Sequence, residues 1–112
     1  MAGVPVAVDT SPDGTLVIRP RGPLGLEDAV DLRRAVVRAI RHDRPLRLVL
    51  DLREVDGLDP INVGTLAAAC DLGDDQCVAV FLDYPSSAIA DRLVMAGIPA
   101  HRLRHVGSRP TD

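Results

Sequence analysis

Three histidines, two cysteines and sixteen acids are the side chains of this chain with the best claim to ligate a metal, pass a proton or attack a carbon. Their spacing decides which of these chemistries is open. His101 and His105 are four apart, the helical spacing of a metal pair, but "HRLRHV" reads as a short final strand. At about 3.3 Å per residue a strand sets them ~13 Å apart, too far to share one ion. His42 follows a helix end, where a cationic side chain is ordinary. Cys70 and Cys77 fall at the end of a helix and the start of a strand, in apolar surroundings, and read as reduced, buried thiols rather than a disulfide. Neither has a histidine close in sequence, and no serine sits in a nucleophile-elbow context. Asp71, Asp74 and Asp75 lack the spacing and the terminal glutamate of a calcium loop and read as a solvated turn. No metal and no cofactor is expected.

Asp51 and Asp83 are the more suggestive acids, because each ends an apolar run that reads as a parallel strand, and ligands of open α/β sheets gather at those carboxyl ends. A receiver-like phosphoacceptor pocket resembles five regular β-α units, with an acidic pair after the first strand and a late lysine. Here a hairpin leads, and all 13 basic residues are arginine. The absence of lysine also excludes a Schiff base and a phosphate loop of the Gly-Lys-Ser/Thr kind. The chain therefore reads as a protein that is not an enzyme.

One stretch remains, "LDPINVGTL". Asp59 is a favoured N-cap and Pro60 fits the first helical position, where its missing N–H costs nothing. At Ile61 the helix mouth offers positive potential, and a hydroxyl there could carry a phosphate favourably.

The elements around this stretch follow from periodicity and turn chemistry. A chain of 112 residues, 46% hydrophobic, is expected to form a single domain spanning residues 1–112. "VPVAVD" and "TLVIRP" flank Pro-Asp-Gly and read as a β-hairpin. A helix from about Leu26 to Arg41 follows. Its charged stripe holds Glu27, Asp31, Arg34, Arg38 and Arg41, and its apolar arc holds Leu26, Ala29, Val30, Leu32, Val36, Val37, Ala39 and Ile40. Acids at its start and arginines at its end suit the helix dipole, so the arginines read as a solvated face. "LRLVLDL" is an uninterrupted apolar strand of the kind covered on both faces. A helix from Pro60 to about Asp71 follows, then "DLGDDQ" as a turn, "CVAVFLD" as a second buried strand and "SAIADRLVMAG" as a helix ended by Gly97. The tails before Val4 and after Gly107 are expected to be loose. The fold class is α/β: a mixed, mainly parallel sheet of about four to five strands with an N-terminal hairpin and three to four helices, mainly on one face.

Composition narrows the partners. Tyr84 and Phe81 are the aromatic residues, and 16 acids outnumber 13 bases, so nucleic-acid binding is disfavoured. No apolar run approaches the roughly 20 residues of a membrane helix, and "MAGVPVAVDT" lacks the basic start and long apolar stretch of a signal peptide, which points to the cytoplasm.

The whole pattern resembles the STAS domains, the small modules of bacterial anti-sigma factor antagonists and of sulfate-transporter tails. "LVIRPRGPLGLEDAVDLRRAV", "LRLVLDLREVDGLD", "NVGTLAAA" and "VAVFLDYPSSAIADRLVMAGI" carry the resemblance in their order and spacing. The family motif resembles D-S-S-G followed by an apolar residue and Gly, and an anti-sigma kinase phosphorylates its second serine to turn binding off. Asp59 matches the Asp, Pro60 and Ile61 replace the two serines, Asn62 replaces the first Gly, Val63 matches the apolar residue and Gly64 the second Gly. Thr65 lies one helical turn farther on and does not inherit the role by position.

The resemblance implies a protein-interaction module whose partner surface is Asp59, Pro60, Ile61, Asn62, Val63 and Gly64, with an anti-sigma factor of serine-kinase type as partner and no phosphorylation at Ile61. The alternative is a soluble scaffold or regulatory subunit of another assembly, such as a transporter or a multi-protein sensory complex.

Overall fold

The computed structural model describes residues 6–107, so the opening of "VPVAVD" and the tail after Gly107, both expected above, lie outside them. In chain order the elements are strands β1 (Val6–Thr10), β2 (Thr15–Pro20) and β3 (Pro23–Leu24), a 3₁₀ turn (Leu26–Asp28), helix α1 (Ala29–Arg38) and a π turn (Ala39–Asp43). Strands β4 (Arg47–Asp51) and β5 (Gly57–Leu58), helix α2 (Pro60–Asp75), strand β6 (Ala79–Asp83), helix α3 (Ser87–Met95), a second 3₁₀ turn (Ala100–Arg102) and strand β7 (Leu103–Arg104) complete them. Five strands form one mixed sheet in the order β1-β2-β4-β6-β7, and β3 pairs with β5 apart from it. Within the large sheet β1–β2 is antiparallel and the other pairings are parallel, as the hairpin followed by α/β alternation predicts.

The hairpin turn forms at Pro12-Asp13-Gly14, where Gly14 supplies φ 87°, a value that strains any residue with a side chain. Its carbonyl also accepts from Leu46 N at 2.9 Å, which sets the start of β4 beside β2. Strand β4 is the middle strand, and Leu48, Val49 and Leu50 are all buried. Leu48 and Leu50 join Leu16, Ile18, Val80 and Leu82 in the core, into which α1, α2 and α3 press Leu32, Val36, Leu66, Ile89 and Leu93. Val49 points the other way, between Val17 and Phe81 of its neighbours. The strand is thus buried on both faces, but the helices gather on one, and on the other the Arg104 guanidinium lies 4.4 Å from the Phe81 ring centre.

Four local expectations are corrected. In α1 and its flanking turns, Ala29, Leu32, Val36, Ala39 and Ile40 are buried as the helical arc requires, yet Leu26 and Val30 of the same arc are exposed. The 3₁₀ start turns Leu26 out of phase with the α-helical wheel, and at the far end the π turn carries the helix to Asp43.

The turn expected at "DLGDDQ" is the last stretch of α2. Gly73 permits this, since it is buried against β6: a Cβ there would stand 2.5 Å from Val80 Cγ2 and 2.7 Å from the carbonyl oxygen of Val78. "HRLRHV" forms a 3₁₀ turn and a two-residue strand rather than one strand, so His101 and His105 are not related by strand spacing. Cys77 is exposed at φ 61°, and only Cys70 is buried.

Two outcomes follow. Alanine favours a helix over glycine by roughly 1 kcal/mol, but at position 73 its methyl overlaps the Val78 carbonyl and the Val80 side chain, and overpacking of this kind costs about 1–3 kcal/mol. Gly73→Ala is therefore expected to lower the urea midpoint rather than raise it. Burial pushes the Cys70 thiol above its usual pKa. Iodoacetamide on the native protein should modify Cys77 alone, as read by peptide mass, with Cys70 reacting only on denaturation.

Candidate functional site

The start of α2 is built from short-range bonds. Asp59 is extended (φ −64°, ψ 147°) and its carboxylate accepts from Ile61 N at 3.3 Å. Its carbonyl accepts from Asn62 N at 2.8 Å and Val63 N at 3.2 Å. Pro60 has no N–H to offer. The orphan donors of the first turn are thus all absent or occupied, and a carboxylate stands at the mouth already. The mouth is not an open anion cradle.

The six residues predicted for a partner surface divide in two. Pro60, Ile61 and Gly64 are exposed and Asp59 is half-buried, with Ile61 50% exposed and open space where a Cβ on Gly64 would stand. Asn62 is fully buried and Val63 nearly so, which removes both from any accessible surface. Helical phase explains this: Asn62 and Val63 precede Leu66, Ala69 and Cys70 on the inward stripe. Thr65 is half-buried and its hydroxyl donates to Ile61 O at 3.2 Å.

Asn62 has a specific task. Its Nδ2 donates to the carbonyl oxygens of Leu24 and Gly25, each at 3.0 Å. Leu24 belongs to β3, which pairs with β5 just before Asp59, and Asp59 N donates to the same Leu24 carbonyl at 2.9 Å. Gly25 leads into α1, its N–H donating to Asp28 Oδ2 at 2.9 Å. One carboxamide therefore ties the beginning of α2 to the beginning of α1. The amide orientation is fixed, since the flipped form would aim an oxygen at two carbonyl oxygens. Asn62 Oδ1 is left buried without a partner.

The second candidate, Asp51 and Asp83, is brought together in register on adjacent strands. Arginines invisible to sequence spacing neutralise both. Arg19 Nε lies 3.3 Å from Asp51 Oδ2, Arg53 Nε 3.0 Å from Asp51 Oδ1, and Arg104 grips Asp83 at 2.6 and 2.8 Å. These carboxylates in turn raise the pKa of Arg19, Arg53 and Arg104, with Arg19 held chiefly by Asp9. Arg53 also lies 4.1 Å from the Tyr84 ring centre, and Tyr84 stacks on His105 at 4.9 Å. The register of Arg19 with Asp51 and of Arg104 with Asp83 is the signal that could have found this row, but it needs strand pairing to be known. Among the described residues no group of three or more His, Cys, Asp or Glu is gathered to hold a metal ion, and no helix is long and apolar enough to cross a membrane.

The clasp makes a test. Asn62→Ala removes two hydrogen bonds, although Leu24 O keeps Asp59 N and Gly25 O keeps Asp28 N as donors, and the expected loss is about 1–3 kcal/mol in urea unfolding. Asn62→Asp should lose more, and in a pH-dependent way. A carboxyl buried beside carbonyl oxygens has a folded pKa above its unfolded value near 3.9, so the variant's deficit relative to wild type grows as pH rises from about 4 to 7. A deficit independent of pH would contradict burial of this side chain.

Comparison with known proteins gives the geometry its kin. The sequence matches the STAS domain over residues 7–103. No curated protein sequence matches it. Among solved structures, the Bacillus cell fate determinant SpoIIAA in its phosphorylated form superposes with TM-score 0.74 at 15% identity, covering 95% of this chain and 94% of that one. A substituted RsbS from Moorella thermoacetica gives TM-score 0.74 at 15% identity, over 96% and 89% of the two chains. The murine anion transporter Slc26a9 gives 0.67 at 15%, over 88% of this chain but 19% of the transporter. At these identities the likeness is one of fold, and with the match over residues 7–103 it places the chain in the STAS domain family, with a fold resembling that of anti-sigma factor antagonists.

Proposed function

We infer that the chain is a non-enzymatic protein-interaction module of the anti-sigma factor antagonist kind, which docks a partner such as an anti-sigma factor on the exposed part of the α2 mouth, without a phosphorylation switch there. One observation carries the reading: Ile61, half-exposed, stands at the helix mouth between Pro60 and the buried Asn62. An apolar side chain held open at the first turn of a well-anchored helix supplies contact area to a partner. It has no oxygen to receive a phosphoryl group. The nearest hydroxyl, on Thr65, is half-buried and engaged with the Ile61 carbonyl, which supports its remaining unmodified.

Of the predicted surface, Asp59, Pro60, Ile61 and Gly64 are accessible to a partner, while Asn62 and Val63 act from beneath by holding the mouth in place. Asp59 satisfies the Ile61 N–H and so keeps the first turn closed.

The experiment has a chemical and a binding arm. Wild type and Ile61→Ser are incubated with an anti-sigma kinase of the host and ATP, and phosphate is mapped by mass spectrometry. Label is expected at position 61 in the variant and nowhere in wild type; label on wild-type Thr65 would defeat the unswitched reading. In the binding arm, Ile61→Asp should weaken the partner by roughly 1 to 3 kcal/mol. Unchanged affinity, with the fold intact by circular dichroism, would leave the α2 start as a capped helix and nothing more.

A further inference from the structure

A shallow groove runs between α1 and α2, and Ile61 stands at one end of it. Ile61, Gly64, Thr65, Ala68 and Leu72 form one wall, at i, i+3, i+4, i+7 and i+11 on α2, and Val37 with Arg33 and Arg41 forms the other, around a hollow of about 390 Å³. It continues across Arg33 into a second hollow of about 700 Å³ on the outer side of α1, lined by Val30, Arg34, Arg38 and His42 among others. The floor is apolar and uncovered, with Val30 59% and Ile61 50% exposed. No acid lines either hollow.

The charges along this groove are all of one sign. The protein as a whole carries −3 at neutral pH. Arg19, Arg21, Arg47, Arg53, Arg102 and Arg104 each reach a carboxylate. Among the described residues Arg33, Arg34, Arg38 and Arg41 form no ion pair; Arg44 and Arg92 form none either, but these four are gathered along one helix and its flanking turn. Opposite charges at i and i+4 stabilise a solvated helix face, and here cations without such partners border an exposed apolar strip. From Ile61 to Leu72 the α2 wall rises about 16 Å, the length of three turns of a helix.

We propose that this groove receives an acidic amphipathic helix of the partner, its apolar stripe on Val37, Ile61 and Leu72 and its carboxylates against the α1 arginines. The proposal rests on the reading of the chain as an interaction module and names the chemistry of the segment it takes. Apolar contact gives the affinity; the arginines give orientation, a fast association and rejection of basic segments. A guanidinium is suited to this, because it can bind a carboxylate through two parallel N–H bonds.

The probe is a fluorescein-labelled synthetic peptide of about 18 residues, with leucines at i, i+3, i+4 and i+7 and glutamates between them. It is compared with the same pattern carrying lysines and with a scrambled acidic peptide of identical composition, by fluorescence anisotropy. Saturable one-to-one binding of the acidic helix alone is expected. It should weaken by at least about tenfold in Arg33→Glu/Arg41→Glu, and by a similar factor between about 50 and 500 mM salt. Both arginines are exposed and unpaired, so the variant should fold, which its melting temperature checks; Arg92→Glu on α3 is the control that should change nothing.

Absence of binding, equal binding of the scrambled peptide, or indifference to the double variant overturns the proposal. Self-association of the wild type that is lost in the double variant would instead assign the groove to a second copy. Arginine-dependent binding to phosphatidylglycerol vesicles without peptide binding would assign it to a lipid surface. A partner weakened by Ile61→Asp but not by Arg33→Glu/Arg41→Glu would end this proposal and leave the docking function standing. A partner weakened by the arginine changes alone would do the reverse to the α2 mouth.

Discussion

A single buried carboxamide ties the start of α2 to the start of α1. Asn62 reaches out of α2 to the carbonyls of Leu24 and Gly25, the last residue of β3 and the residue that opens the path into α1. Each carbonyl also accepts a backbone N–H, Leu24 O from Asp59 and Gly25 O from Asp28, so the carboxamide adds a second bond to each, at about 0.5–1.5 kcal/mol apiece. Everything above this contact inherits its position. The β3–β5 pair lies just before the mouth, Asp59 closes the first turn, and the outward direction of Ile61 is set because its neighbour Asn62 must point inward. The contact is not free of cost, since Asn62 Oδ1 is buried without a partner. Two bonds from one nitrogen offset that unsatisfied oxygen by tying the start of α2 to the start of α1.

The sheet solves a different problem at its helix-free face. Val17, Val49 and Phe81 form an apolar row there, and the next row carries Arg19, Asp51, Asp83 and Arg104 in register across four strands. Two adjacent carboxylates at strand ends could share a proton and act as an acid and base pair if left alone. Each is instead met by its own guanidinium, and Arg104 covers the Phe81 ring as well. The arginines are partly exposed and the acids buried, so each pair contributes modestly while intact and removal of one arginine would strand a desolvated charge. The row thus replaces a helix layer with polar cover, which is why the helices can all lie on the other face.

Much of this was legible in the residues, and the failures have physical causes. Pro-Asp-Gly specified the hairpin, a continuous apolar run specified the central strand, and Asp-Pro specified the start of α2, because each depends on local backbone chemistry. Gly73 misled because a glycine followed by two aspartates reads as a turn, whereas its role is to let α2 pass close to Val80 and Val78, a contact made with a strand not yet formed. "HRLRHV" misled because alternation alone does not distinguish a strand from a 3₁₀ turn joined to two strand residues. Asn62 and Val63 were placed on the partner surface by motif position; helical phase, counted from Leu66 and Cys70, already turned them inward. Arg19, Arg53 and Arg104 were invisible for the opposite reason, since their partners are set by strand register.

The division of labour at the α2 start has a consequence for regulation. A phosphoryl group on a helix mouth acts by adding about two negative charges, and its effect on binding depends on what already stands there. Here the first-turn donors are satisfied, the Asp59 carboxylate occupies the mouth, and the residue between Pro60 and Asn62 is apolar. If this surface docks a partner as proposed, it would gain affinity from area rather than from a hydroxyl whose charge can be changed. On the docking proposed above, occupancy would follow the concentration and affinity of the partner, and covalent control would fall to the partner's side of the contact. Unpaired arginines beside the same apolar strip fit that arrangement, because a phosphate added to an acidic partner segment would strengthen its hold on α1 where the same phosphate on this chain's own mouth would meet Asp59.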